Sequence, residues 1–223
     1  MEKSFTKQKQ FIADASHELK TPLSVIIACA ETLEENPKEQ KWIENIKNES
    51  NRMSKLVTNL LDLAKLEEGN NKALYEEINL SKLVEKSILP FESLAYEQNI
   101  KLDYEINENI LFKCNSEEIK ELLSILLDNA IKHSSKKGSI RVNLNIIKND
   151  IVLETINKGN PIPKGEEEKI FERFYRVDKS RNRNENRYGL GLAIAKCIVT
   201  NHNGKISAFS NNEYTTFKII FKI

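Results

Sequence analysis

The chain has 223 residues, 39% of them hydrophobic and 30% charged, a balance that buries a core and excludes a disordered chain. Its formal net charge of +1 gives no broad field to draw in nucleic acid or an anionic membrane, so any phosphate binding has to be local. Cys29, Cys114 and Cys197 show neither metal-ligand spacing nor a disulfide framework, and no run reaches the ~18 apolar residues of a membrane span.

Residues 1–70 contain no convincing strand. The N-terminus, MEKSFTKQKQ, lacks the apolar core of a signal peptide. Because the chain starts inside helical sequence, a further region upstream is expected, with this part the cytoplasmic portion of a membrane-anchored protein. Ile12, Ala15, Leu19, Ile26, Ala30 and Leu33 form the stripe of a first helix. After the turn-like EENPKEQK, Ile46, Ser50, Met53, Val57, Leu60 and Ala64 recur in steps of four and three, the heptad seam of a coiled coil or bundle. One hairpin cannot cover both stripes, and flanks such as Leu56 and Leu63 are expected to stay in water until a second hairpin buries them. The expectation is a homodimer built on a four-helix bundle. EEGNNK (residues 67–72) ends the second helix, with Gly69 at its C-cap, and serves as a linker.

Residues 71–223 change character. A helix fits SKLVEKSILPFESLAYEQN, interrupted at Pro90; strands fit IKLDYEI and NILFKC; a long helix fits SEEIKELLSILLDNAIKHS. SIRVNLNII and DIVLETI read as a hairpin around Lys148 to Asp150, and a last helix spans GLAIAKCIVTNH. Asn203-Gly204 then turns the chain into the closing strands ISAFS and TTFKIIFKI. Helices interleaved with antiparallel strands make an α+β sandwich.

Within the first helix, FIADASHELKTPLSVI (residues 11–26) sets His17 nearly opposite the apolar stripe, at ~100° per residue. The imidazole is expected to face solvent. Thr21 lies one turn along on the same side, so both side chains can address one reacting atom. Glu18 can fix the imidazole tautomer and take up a proton. Pro22 removes an amide hydrogen that the Glu18 carbonyl would have accepted, and a bend is expected there. A zinc protease would need a second histidine where Thr21 stands.

This stretch resembles, nearly residue for residue, the phosphoacceptor box of the sensor histidine kinases of two-component signalling. The resemblance implies that His17 takes the γ-phosphoryl group of ATP, that Glu18 is the activating acid/base, and that Thr21 helps place water for dephosphorylating a partner. A phosphoacceptor needs a donor. On SEEIKELLSILLDNAIKHS, Leu122, Leu123, Leu126, Leu127 and Ala130 face one way, leaving Asp128 and Lys132 outside and Asn129 on the flank. Asn129 offers a neutral amide oxygen suited to Mg2+ beside ATP phosphates, with Lys132 one turn away to balance charge. LLDNAIKHS also resembles the N box of the family, part of an ATP-binding fold shared with gyrase and mismatch-repair ATPases. There Asn129 would bind Mg2+, and Lys132 and His133 would face phosphate. Four residues earlier the hydrolytic relatives carry a glutamate that activates water; Ile125 cannot, which disfavours plain hydrolysis but not transfer to a histidine.

ETINKGNPIP corresponds to the G1 box, usually Asp-x-Gly-x-Gly-Ile in the family. Asn157 replaces the aspartate that accepts the adenine amino proton, Gly159 and Ile162 are kept, and Pro161 replaces the second glycine. An Asn oxygen still accepts that proton, without charge. IFERFYRVDKSR resembles the F box and YGLGLAIAK the G2 box, with the polar NRNENR, carrying Arg183 and Arg187, between them as a lid. Lys179 and Arg181 could reach phosphate oxygens, while Gly189, Leu190, Gly191 and Leu192 bring backbone amides at a helix start toward the same charge. Arg187 and Tyr188 stand where the family carries additional glycine, which stiffens the lid.

The boxes follow the family's order and spacing over almost the whole chain. The resemblance therefore implies two domains: an all-α helical hairpin forming a dimeric four-helix bundle over 1–70, and an ATP-binding α+β sandwich of the histidine kinase/gyrase type over 71–223. The implied activity is autophosphorylation of His17 from Mg-ATP, then transfer to an aspartate of a response regulator. Ile125, Asn157 and Pro161 motivate a second reading, a nucleotide-sensing dimer acting as scaffold or phosphatase. A free-standing ATPase, the third, is opposed by Ile125.

Overall fold

The structure, a computed structural model, describes residues 2–35, 40–68, 75–177 and 188–222. Two long helices, α1 (Glu2–Glu35) and α2 (Gln40–Glu68), pack as a hairpin. The turn at Pro37 and the linker from Gly69 to Lys72 lie outside the described residues; Glu67 and Glu68 belong to α2. α1 continues through Pro22. Its sheltered row is Ala15, Leu19, Pro22, Ile26, Cys29 and Leu33, with Pro22 and Cys29 buried. Ile12, expected in that row, is 58% exposed, and Ala30 is exposed as well. The proline ring and the thiol fill the helix face that those two residues were expected to supply.

α2 departs further from expectation. Leu56, Leu63 and Leu66 are buried within one chain, so Leu56 and Leu63 need no second hairpin to leave water. They lie on a row, with Glu49, Arg52 and Asn59, about a third of a turn from the expected seam at ~100° per residue. What shelters this row is the second domain: α2 runs along α5 (Gly191–Asn201), and Asn201 Nδ2 donates to Leu66 O at 2.8 Å. Among the described residues, the large apolar side chains of the hairpin left in water are Ile12, Leu23, Val25 and Ile27 on α1 and Ile43, Val57 and Leu61 on α2.

The second domain is a five-stranded sheet in the order β2 (Lys101–Ile106), β4 (Ser139–Ile147), β5 (Asp150–Lys158), β7 (Tyr214–Lys222), β6 (Lys205–Ser210). β2 and β4 are parallel and the other pairs antiparallel, so the sheet is mixed rather than wholly antiparallel. β3 (Leu111–Cys114) pairs apart from it with β1 (Glu76–Asn79), a strand whose EEIN sequence carries no alternation to announce it. α3 (Leu80–Glu97) and α4 (Ser116–His133) join α5 as the helical layer. Pro90 does not interrupt α3. It stands on the exposed side, where the carbonyl deprived of its amide partner is open to solvent rather than buried unsatisfied.

Two turns set the edges. Lys148 and Asn149 both have positive φ (50° and 67°), the two-residue hairpin turn that matches strand twist. α4 is capped by the Asn115 side chain, which accepts from the amides of Glu117 and Glu118. The apolar core is continuous, running from Leu56, Leu63 and Leu66 through the α4 leucines into the sheet.

Candidate functional site

On α1, His17, Glu18 and Thr21 are all exposed, His17 lying nearly opposite the apolar stripe as expected. Thr21 Oγ1 donates to the His17 carbonyl at 3.3 Å, so this hydroxyl is turned back on its own helix and must rotate about χ1 to serve a reacting atom beside the imidazole. Within the second domain, the row Leu122, Leu123, Leu126, Leu127 and Ala130 is buried without remainder and fixes the rotation of α4. That rotation leaves Asn129 half-buried on the flank and Asp128, Lys132 and His133 exposed. Lys132 closes on Asp128 as an ion pair, so a phosphate reaching this lysine competes with that carboxylate.

The G1 turn is held against the end of α4. Gly159 bridges Ser134 across the two segments and donates its amide to Glu213 O at 2.9 Å. A Cβ on Gly159 would sit 1.9 Å from the His133 carbonyl oxygen, so only glycine lets the turn approach. Two residues back on β5, Asn157 is 1% exposed, and neither its Oδ1 nor its Nδ2 has a hydrogen-bond partner; the same holds for Thr155 Oγ1 on the same strand face. Across the ladder Asn157 faces Thr215, whose Oγ1 lies 2.9 Å from Ser210 Oγ. Ser210 Oγ also accepts from Ile162 N at 3.0 Å. Thr155, Ser210 and Thr215 were not singled out from the sequence. The available signal was a polar residue at an inward position of an otherwise apolar strand.

A buried amide and a buried hydroxyl that no protein group satisfies fit a ligand bringing donors and acceptors of its own, as a nucleotide base does. For Mg2+ the fit is narrower. Asn129 offers one neutral oxygen, and among the described residues no group of three His, Cys, Asp or Glu could hold a metal ion, which suits a cation that keeps waters and phosphate oxygens as its remaining ligands.

The G2 turn leads into α5. Leu190, buried, is its N-cap, and no side chain caps the helix, so the opening amides around Gly191 and Leu192 remain available to an anion. Gly189 has φ +68°, and a Cβ there would lie 2.6 Å from Tyr175 O. Gly191 is less constrained: its Cβ would meet Ile125 Cγ2 at 3.4 Å. Ile125 therefore fills the space between α4 and the G2 turn. Lys179 and Arg181, with Arg183 and Arg187, lie outside the described residues.

The two domains meet at this turn. Tyr188 is buried; burial raises the pKa of its phenol, the Arg52 guanidinium opposes this, and the Glu49 and Glu18 carboxylates add to the rise. Its oxygen has no partner at hydrogen-bonding geometry, while Arg52 pairs with Glu49 at 2.6 Å. The G2 turn thus faces the hairpin near the level of Glu18. Alongside, the rings of Phe11 and Phe174 lie 6.0 Å apart, and Arg173 sits 4.7 Å over the Phe11 ring while pairing with Glu67. These contacts between distant segments carried no local sequence signal.

Comparison with known proteins is consistent across both regions. Residues 114–223 match the family described as histidine kinase-, DNA gyrase B-, and HSP90-like ATPase, and residues 7–69 match the His Kinase A (phospho-acceptor) domain. Sensor protein DltS of Streptococcus agalactiae is 36% identical over 98% of this chain and 55% of its own length. Signal transduction histidine-protein kinase ArlS of Staphylococcus haemolyticus is 38% identical over 100% of this chain and 50% of its own. The chain thus spans about half the length of the curated relatives it matches. Among solved structures, the catalytic domain of histidine kinase ThkA is 27% identical with a TM-score of 0.59, covering 66% of this chain and 95% of that one. ThkA in complex with response regulator protein TrrA is 23% identical with a TM-score of 0.78, covering 99% of this chain and 63% of that one, which extends the shared fold to the hairpin.

Proposed function

The chain belongs to the sensor histidine kinases, as their phosphoacceptor hairpin joined to their ATPase domain, and from that premise we propose that it phosphorylates His17 from Mg-ATP and passes the phosphoryl group to an aspartate of a response regulator. The observation that carries this is an exposed imidazole with an adjacent carboxylate, on a hairpin against which the G2 turn of the ATPase domain is already docked. A neutral nitrogen of His17 attacks the γ-phosphorus, the bond from that phosphorus to the bridging oxygen breaks, and ADP leaves. The proton displaced from the ring goes to Glu18. Little covalent work is asked of the protein, and rate comes from positioning and charge neutralisation.

On this reading Asn129 would hold Mg2+, which would supply positive charge to offset that developing on the phosphates. Lys132, His133, Lys179 and Arg181 face phosphate, with the amides of Gly189, Leu190, Gly191 and Leu192 at the α5 start. Asn157, Gly159 and Ile162 enclose the base. For transfer, the ATPase domain and the hairpin approach one another. Thr21 places water for dephosphorylating the regulator. The exposed apolar residues of α1 and α2, Ile12, Leu23, Ile27, Ile43, Val57 and Leu61, are the surface a second hairpin buries in a homodimer. No described helix is long and apolar enough to cross a membrane, and the site of action is the cytoplasmic side, where ATP and the regulator are.

The chain incubated with Mg2+ and γ-labelled ATP acquires acid-labile label, and His17→Gln abolishes it. Label persisting in the variant refutes the assignment. Thr21→Ala leaves the label in place and slows dephosphorylation of a phosphorylated regulator; an unchanged rate removes Thr21 from that step.

A further inference from the structure

We propose that Asn157 lets the base turn of this chain's nucleotide site meet the pairing edge of guanine as well as that of adenine. The inference rests on the reading above, that the ATPase domain binds a nucleotide with its base at the G1 turn. It adds that the turn does not choose between the two purines.

The Asn157 side chain is held by packing alone. It is buried on the helix-facing side of β5, yet neither end of its amide is engaged by a protein group. Its nearest polar neighbour along the strand face, the Thr155 hydroxyl, is equally unengaged and can donate or accept by rotating about its C–O bond. Thr215, across the ladder, has its hydroxyl paired with Ser210. Among the described residues nothing therefore fixes which way round the Asn157 amide lies, and a half-turn about χ2 exchanges its oxygen for its nitrogen at almost no change of shape.

That symmetry meets a matching one in the ligand. The pairing edge of adenine carries an amino donor on C6 beside the N1 acceptor; guanine carries the O6 acceptor beside an N1–H donor. An ionised carboxylate has acceptors only: facing the C6 substituent, it accepts from the adenine amino group and repels guanine O6, and only guanine N1–H alongside still offers it a donor. An amide presents one donor and one acceptor side by side, so it meets adenine in one orientation and guanine in the other. An aspartate facing the C6 substituent disfavours guanine through the repulsion between its charge and O6; Asn157, with a donor to offer O6, does not. Gly159 and Ile162 are held by contacts to His133 and Ser210 and read no base edge, so the choice falls on residue 157.

Equilibrium binding to the full chain tests this without reference to phosphoryl transfer. With Mg2+ present, ADP, GDP and inosine diphosphate are titrated by calorimetry. Inosine shares the guanine edge but lacks the 2-amino group, which separates the edge from a clash elsewhere in the pocket. The expected result is that inosine diphosphate or GDP binds within about tenfold of ADP. In Asn157→Asp the preference for ADP over both widens by about tenfold or more. If both competitors bind wild type more than about tenfold weaker than ADP, or if the substitution leaves the ratio unchanged, the proposal is overturned. Should the nucleotides bind as expected while His17 takes no label from ATP, the kinase reading fails and the base-selection reading stands. Labelling from ATP with no measurable GDP or inosine diphosphate binding gives the converse.

Discussion

His202 ties the two helices that carry the nucleotide residues, and its tie is sensitive to acid. Its side chain is fully enclosed. Nε2 accepts from the Asn115 amide at 3.1 Å and Nδ1 lies 2.8 Å from the Ile198 carbonyl, so the ring is neutral with its proton on Nδ1. The Tyr75 ring stacks on it at 4.6 Å, Phe112 and Phe221 flank it, and Glu118 Oε2 stands 3.7 Å away. Burial lowers the pKa of His202, against the opposing pull of the Ile198 carbonyl and Glu118. The unfolded chain therefore takes up the proton first as pH falls from ~6.5. The stabilisation is fully present above that pH and is lost as pH drops toward the folded pKa, at up to about 1.4 kcal/mol per pH unit. His202→Gln keeps an acceptor for Asn115 and a donor for Ile198 but cannot titrate. Urea unfolding of both proteins between pH 7 and pH 5.5 shows wild type losing about 1 kcal/mol relative to the variant. Parallel curves, or a wild type that gains on the variant in acid, refute the reasoning.

Gly159→Ala forces the G1 turn off the end of α4, because the new methyl overlaps the His133 carbonyl at 1.9 Å; thermal unfolding shows a loss of about 2 kcal/mol or more, whereas Gly191→Ala, with 3.4 Å to Ile125, stays within about 0.5 kcal/mol of wild type. Equal losses at the two positions contradict the packing described. Arg173→Ala removes both the cation over Phe11 and the partner of Glu67. It weakens domain docking by about 1 kcal/mol, read as faster amide exchange across α2 residues 56–68 with little change in the sheet; unaltered exchange there removes Arg173 from the docking contact.

The sequence was most legible where one element decides its own burial. The α4 leucine row and the ends of β4 emerged from periodicity alone, because each residue's fate follows from the face it occupies. The exposed position of His17 followed in the same way. The α2 rows were not separable so simply. Leu56 and Leu63 read as leftovers from a heptad seam, since the surface that buries them, α5, lies more than a hundred residues away in the chain. Ile12 and Ala30 were placed in the α1 stripe on hydrophobicity, and nothing local says that Pro22 and Cys29 fill it instead. At the candidate site, Asn129, Asn157 and Gly159 stood out through motif and residue chemistry. Thr155 and Arg173 did not, and Tyr188 stood out only as a departure from glycine, because their significance lies in partners or in missing partners that only the folded chain defines.

α2 behaves as a cam. One flank grips the catalytic module through Leu56, Leu63 and Leu66 while another, with Val57 and Leu61, faces solvent. Twisting the shaft by roughly a third of a revolution takes the leucine row out from under the module. A torque delivered at the free end of the hairpin would therefore set how firmly the module is clasped, with no need to break a single backbone hydrogen bond on the way.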